Sequence, residues 1–146
     1  MTRPAVIVDT NVVVAGLLTA HETSPVARIL AGMLAAAFPF VVSEALLAEY
    51  RLALVRPNLR KLHGLTVAEV EAILTDLAQH AIVLAPLPMP AVPPAPDPGD
   101  QLLWELLAAK ADLLLVTGDK LLLRDAGMQG RVISPQASLQ AIDVSR

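Results

Sequence analysis

Four acids, Asp9, Glu49, Asp100 and Asp119, have the type and placement that could do chemistry. Asp9 stands between two apolar runs in AVIVDTNVVVAG (5–16), where Ala5 to Val8 reads as a buried strand and Val12 to Leu18 as an apolar helix start. A core rarely accepts a carboxylate without compensation. Asp119 closes DLLLVTGD (112–119), another apolar strand, and Asp100 heads a helix after a proline-rich stretch. Glu49 lies mid-helix at the margin of a stripe of Leu46, Leu47, Tyr50 and Leu54 that faces the sheet. In open α/β sheets ligands bind beyond the carboxyl ends of the strands, so neighbouring first and fourth strands would turn Asp9 and Asp119 into one crevice. Four carboxylates gathered there repel one another unless a cation neutralises them. Hard oxygen donors without thiolate select Mg²⁺ or Mn²⁺ over zinc. Such a site suits phosphodiester hydrolysis, because the metal lowers the pKa of a bound water, positions it in line and offsets charge on the leaving oxygen.

Taken singly, each acid has a plainer role. Asp100 suits an N-cap or first-turn position, Glu49 a solvated helix face, and Asp119 in Thr-Gly-Asp-Lys a turn. Asp9 has few such roles, because its flanks are apolar. No serine, histidine and acid trio is apparent, and His21, His63 and His80 lack ligand spacing, so they read as loop or surface histidines.

The elements that must position these acids are marked by local punctuation. Ser24-Pro25 supplies an N-cap and a proline at the first helical position, starting a helix to about Ala37. FPFVVS (38–43) predicts a second strand, with Ser43 capping a helix from Glu44 to about Val55 that Pro57 closes off. Thr66 to Glu69 form a capping-box pattern opening a helix to about His80, and AIVLA (81–85) predicts a third strand. The stretch 86–99 holds seven of the twelve prolines and reads as a stiff surface loop, with a ligand for a proline-binding partner as the minor reading. A helix from Asp100 to about Ala111, a fourth strand, a fifth strand RVIS (131–134) and a short helix PQASLQAI follow. Strands that are continuous apolar runs, alternating with helices, predict a parallel sheet covered on both faces.

At 146 residues one domain is expected, with room for a sizeable core. The apolar fraction of 55% and mean hydropathy of +0.59 raise the question of a membrane span. The longest apolar run, Ile29 to Val42, is 14 residues with Gly32 and Pro39 inside it, too short to cross a bilayer. The N-terminus does not have the shape of a signal peptide, and a soluble, cytoplasmic chain is expected. The absence of cysteine excludes disulfides, thiolate metal sites and cysteine nucleophiles. A net charge of −3 excludes nucleic-acid binding through bulk electrostatics and leaves it to a local basic patch or a metal.

The motifs VIVDTNVVVAGLL, SEALLAEYRLALVRPNLRKL, DPGDQLLWELLAAKADLLLVTGDKLLL and VISPQASL, in this order and spacing, resemble those of the PIN-domain nucleases. The likeness is greatest to the VapC-like toxin components of bacterial toxin-antitoxin systems, and it covers nearly the whole chain. It implies a single Rossmann-like three-layer α/β domain with a central parallel sheet of about five strands in the order 3-2-1-4-5, and metal-dependent cleavage of RNA by water. By the same resemblance Asp9, Glu49, Asp100 and Asp119 are the acidic metal-binding and catalytic quartet, and Asp97 looks like an additional acid. Thr10, Asn11, Ser43 and Thr117 look like groups that orient ligands or the attacking water. An RNA substrate, a cognate antitoxin protein and a homodimer are expected, with no membrane. The apolar face of Val26, Ile29, Leu30, Met33 and Leu34 is either that contact or core.

Arg51, Arg56, Arg60 and Lys61 fall within eleven residues without an intervening acid. They read equally as a phosphate-gripping patch or as cations at a solvated helix end. Two other uses of a strand-one aspartate are excluded. A nucleophilic-aspartate phosphatase needs a second aspartate where this chain has Asn11, and a dinucleotide site needs glycines that Asp9 to Val14 lack. The competing reading from another class is a non-catalytic PIN module that binds RNA or a protein.

Overall fold

The computed structural model describes residues 4–86, 92, 94–125, 128 and 130–142. Its strands are short: β1 (Val6–Val8), β2 (Val41–Val42), β3 (Ile82–Val83), β4 (Leu114–Val116) and β5 (Val132–Ile133). They form two parallel ladders, one in the order β1-β4-β5 and one pairing β2 with β3. A single bridge between Val6 and Phe40, with Val6 N–H donating to Pro39 O over 3.2 Å, joins the two. Val6, Ile7 and Val8 are all fully buried. Consecutive strand residues point to opposite faces, so this burial means that both faces of β1 are covered, as a parallel sheet requires. β3 is the exception, an outer strand with Ile82 at 42% and Val83 at 55% exposure.

Together with a 3₁₀ turn at Pro98–Asp100, eight α-helices complete the described chain: α1 (Thr10–Leu18), α2 (Pro25–Leu34), α3 (Glu44–Leu54), α4 (Pro57–His63), α5 (Val67–His80), α6 (Gln101–Ala108), α7 (Lys120–Leu123) and α8 (Pro135–Ile142). The expected caps are present. Ser24 Oγ accepts from Ala27 N–H, Ser43 Oγ from Leu46 N–H, and Thr66 with Glu69 forms a reciprocal capping box. α1 packs closely on α2 at Gly16, where a Cβ would come within 2.6 Å of Val26 O. Among the described residues no helix is long and apolar enough to cross a membrane.

Several boundaries differ from those expected. α2 stops at Leu34 rather than near Ala37, because Ala36 adopts a left-handed φ of 54°. Ala36 N–H then bonds to Met33 O and Ala37 N–H to Gly32 O, the paired closure that usually employs glycine. Pro57 does end α3, and it also occupies the first position of α4, a helix the sequence reading lacks. Gly64, at φ 69°, closes that helix. The short α7 after Asp119 was likewise not expected. Ile29, Leu30 and Met33 are buried and Val26 and Leu34 pack against the core, so this face of α2 is core and not a free contact surface. Part of the proline-rich stretch, 87–91 and 93, lies outside the described residues; Pro94 to Asp97 carry no helix or strand.

Arg131, just before β5, closes the far end of α6. Its guanidinium donates to Leu107 O and Lys110 O, and its Nε to Leu113 O over 3.3 Å. One cation thus serves the carbonyl end of a helix and the entry to β4. Arg131→Met should cost about 2 kcal/mol in urea unfolding, the usual scale for losing charged hydrogen bonds; a loss below about 0.5 kcal/mol would show that these bonds contribute little.

Candidate active site

The register of β1 against β4 pairs Val8 with Val116, so the residues that leave the sheet next, Asp9 and Thr117, lie side by side. Parallel pairing puts both at the same edge. Thr117 is fully buried and Asp9 only 7% exposed. The Thr117 hydroxyl donates to Asp9 Oδ2 over 2.7 Å and accepts from the Asp119 N–H over 3.0 Å, with Asn11 Nδ2 at 3.5 Å. Asn11 Oδ1 accepts from Gly118 N–H over 3.3 Å. These bonds tie the turn after β1 to the turn after β4.

Asp9, Glu49, Asp100 and Asp119 line one cleft of about 510 Å³, together with Thr10, Asn11 and Arg56. They come from four elements. Asp9 is the N-cap of α1, Glu49 is half-buried on α3, Asp100 ends a 3₁₀ turn (Pro98–Asp100) and caps α6, and Asp119 caps α7. Asp119 Oδ1 performs its capping duty by accepting from Leu121 N–H, whereas neither Asp9 nor Asp100 makes a side-chain cap bond. Asp97 takes that duty for the 3₁₀ turn, its Oδ1 accepting from Gly99 N–H over 2.8 Å, and it does not line the cleft.

Of the remaining expected site residues, Ser43 is buried as the cap of α3 and lines a separate cavity of about 370 Å³ with Glu44, Val83 and Glu105. Among the four clustered cations only Arg56 lines the acidic cleft. Arg51 is paired with Glu71 from α5, an acid that the local sequence does not contain, and Arg60 and Lys61 sit in the last turn of α4.

Tyr50 is a contributor the sequence reading treated only as part of a buried stripe. Its hydroxyl donates to Val8 O, the carbonyl immediately before Asp9. A fully buried tyrosine needs a partner for its O–H, which is the signal that was available.

Crowding is visible in the acids themselves. Burial holds Asp9 above the ordinary aspartate range, reinforced by the charges of Asp119 and Glu49, while the Thr117 hydroxyl and the Thr10 amide pull the other way. Asp100 is pushed up to about 6, first by burial and then by Asp9, Asp97, Asp119 and Glu49. Among the described residues no three His, Cys, Asp or Glu side chains are drawn together closely enough to hold a metal ion. The cleft still offers the donors a hard divalent cation takes, all of them oxygen, and a cation would relieve the repulsion that raises Asp9 and Asp100.

Aspartates converging beyond the ends of parallel strands follow the arrangement by which open α/β sheets bind ligands. Within that class the family is specific: the model described as PIN domain matches residues 5–121, and the chain belongs to the PIN-domain family. PIN domains are generally nucleases, so the fold is of nuclease type. No curated protein and no solved structure matches the chain.

Two measurements follow from this geometry. Tyr50→Phe leaves Val8 O without its partner and should lower stability by about 1 to 2 kcal/mol in urea unfolding while keeping the fold; an unchanged midpoint would remove Tyr50 from the support of Asp9. For Asp100, a folded-state pKa above the unfolded value means that the native state holds the extra proton between about pH 4 and 6, so its contribution to stability falls as pH rises through that window. In the absence of divalent ions, the stability gained by Asp100→Asn over the parent should therefore grow from pH 4 to pH 7 in thermal unfolding, and a gap independent of pH would contradict the crowding.

Proposed function

We propose that the chain is a metal-dependent endoribonuclease, hydrolysing RNA phosphodiester bonds with water, in which Asp9, Glu49, Asp100 and Asp119 are the catalytic and metal-holding acids. The observation that carries this reading is the convergence of these carboxylates, from four separate elements, on one cleft in a member of a generally nucleolytic family. Bound among them, Mg²⁺ or Mn²⁺ would supply an activated water and offset charge on the reacting phosphate.

The chain's own groups divide the remaining work. Thr117 keeps Asp9 oriented and opposes the effect of burial on its proton affinity. Asn11 holds the Gly118 turn and hence the root of Asp119. Thr10, which lines the same cleft, completes that orienting set. Asp97, with one oxygen engaged by Gly99, acts on the site through its charge on Asp100. Ser43 contributes by fixing the start of α3, the helix that carries Glu49.

The same proposal takes the two ladders as one sheet in the order 3-2-1-4-5, supported by the Val6 to Phe40 bridge. It also takes the protein to be the VapC-like toxin of a toxin-antitoxin pair, a cytoplasmic homodimer held in check by a cognate antitoxin. Support for that part is the likeness of its ordered motifs to the VapC-like group.

Asp9→Asn and Asp100→Asn should each lower Mg²⁺- or Mn²⁺-dependent cleavage of RNA at least about 100-fold, with circular dichroism unchanged. Cleavage that survives both substitutions would sink the assignment to this cleft. A parent protein that binds RNA without cutting it would return the non-catalytic reading.

A further inference from the structure

The four clustered cations separate by position. Glu49, Ala53 and Arg56 all line the acidic cleft; Glu49 and Ala53, spaced i and i+4, share one face of α3, and Arg56 follows beyond the end of that helix, in non-helical backbone as the N-cap of α4. Arg51, two residues after Glu49, is turned by about 200° from it. It lies on the α3 and α5 side, bound to Glu71, in a separate groove with Leu47 and Leu74. Arg60 and Lys61 complement the carbonyl end of α4 and do not reach the cleft lining.

Arg56 has a fixed root and a free tip. Its N–H donates to Ala53 O, its carbonyl accepts from Leu59 and Arg60, and Pro57 restricts its backbone. Its guanidinium makes no side-chain cap bond, and no ion pair holds it among the described residues. The charges acting on Asp9 and Asp100 are all carboxylates, so Arg56 is not what sets the proton affinity of those two acids. The lining of the cleft also includes an apolar set, Val14, Ala15 and Leu18 of α1 and Leu59 of α4.

We infer that Arg56 is the residue that grips a substrate phosphate, and that the nucleic-acid strand runs along the cleft from the acids past Ala53 to Arg56. The inference rests on the nuclease reading for the identity of the ligand. A planar guanidinium matches a phosphate with two parallel hydrogen bonds, which a lysine cannot reproduce. Ala53 stands about 6 Å along α3 from Glu49, and Arg56 lies past the end of that helix. It therefore engages a phosphate flanking the one at the acids, with sugar and base against the apolar residues of the cleft lining.

The test uses a fluorescent RNA oligonucleotide with a cleavage-resistant 2′-O-methyl backbone, titrated in Mg²⁺ at several salt concentrations. Arg56→Gln should weaken binding about 10-fold and reduce the slope of log affinity against log salt by about 0.7, the loss of one phosphate contact to a single strand. Arg56→Lys should recover the slope but only part of the affinity, and Arg51→Gln should change neither. On cleavable RNA, Arg56→Gln should raise KM about 10-fold with kcat within about threefold of the parent. A parent that fails to bind the oligonucleotide, a variant equal to the parent in affinity and slope, or a slope lost instead on the paired Arg60→Gln and Lys61→Gln change, overturns the inference. So does an Arg56→Gln variant altered in metal affinity alone. Binding that depends on Arg56 in a protein that does not cut RNA would uphold the inference and remove the nuclease reading; intact cleavage with Arg56→Gln indistinguishable from the parent would do the reverse.

Discussion

Two of the four acids, Asp9 and Asp119, are tied together through one buried hydroxyl, that of Thr117. Thr117 Oγ1 has a single proton and two acceptor positions, and all are used: the proton goes to Asp9 Oδ2, and the Asp119 amide and Asn11 Nδ2 approach its lone pairs. A fully buried polar atom satisfied in this way is rigid, because every displacement breaks a bond in a region that water does not reach. The hydroxyl is in turn placed by the pairing of Val8 with Val116, which brings Thr117 beside Asp9. The apolar character of β1 and β4 is thus what fixes a polar site.

The helices starting at this edge show a second constraint. Asp9, Asp100 and Asp119 all occupy N-cap positions, where aspartate normally satisfies an orphan amide for about 1 kcal/mol. Only Asp119 does so. Asp9 and Asp100 forgo that bond and lie in the cleft among like charges, both with raised proton affinity. Departures from a local stabilising rule concentrate where a site has to be built. The contrast between neighbours makes the point sharper: Asp97 caps its short turn through Gly99, and Asp100, three residues on, does not cap α6.

Much of this was legible because it is local. The alternation of apolar runs with capped helices gave the α/β class, α8 coincides with PQASLQAI, and the capping box of α5 falls where Thr66 places it. Asp9 was conspicuous as a carboxylate in an apolar context. What escaped depends on contacts distant in sequence or on a residue acting out of type. Ala36 ends α2 in a conformation that glycine ordinarily marks, so nothing announced the stop. Pro57 has one identity and two roles, and the pattern alone showed only the first. Arg51 and Arg56 are five residues apart and chemically identical, yet Glu71 on a later helix claims one and leaves the other at the cleft. Tyr50 looked like core because its ring is core; the partner of its hydroxyl lies on a strand 42 residues earlier.

The narrow junction between the two ladders has a consequence for the acids. Asp9 and Asp119 leave the β1-β4-β5 ladder, while Glu49 rides on α3, which follows β2 in the other one. Along that seam the strands share a single bridge, and the Tyr50 to Val8 bond crosses it a few residues further on. Regions open locally in proportion to how few bonds hold them. What holds Glu49 to the other carboxylates is therefore the packing of α3 against α1 and α6 and the one Tyr50 bond, not continuous strand pairing.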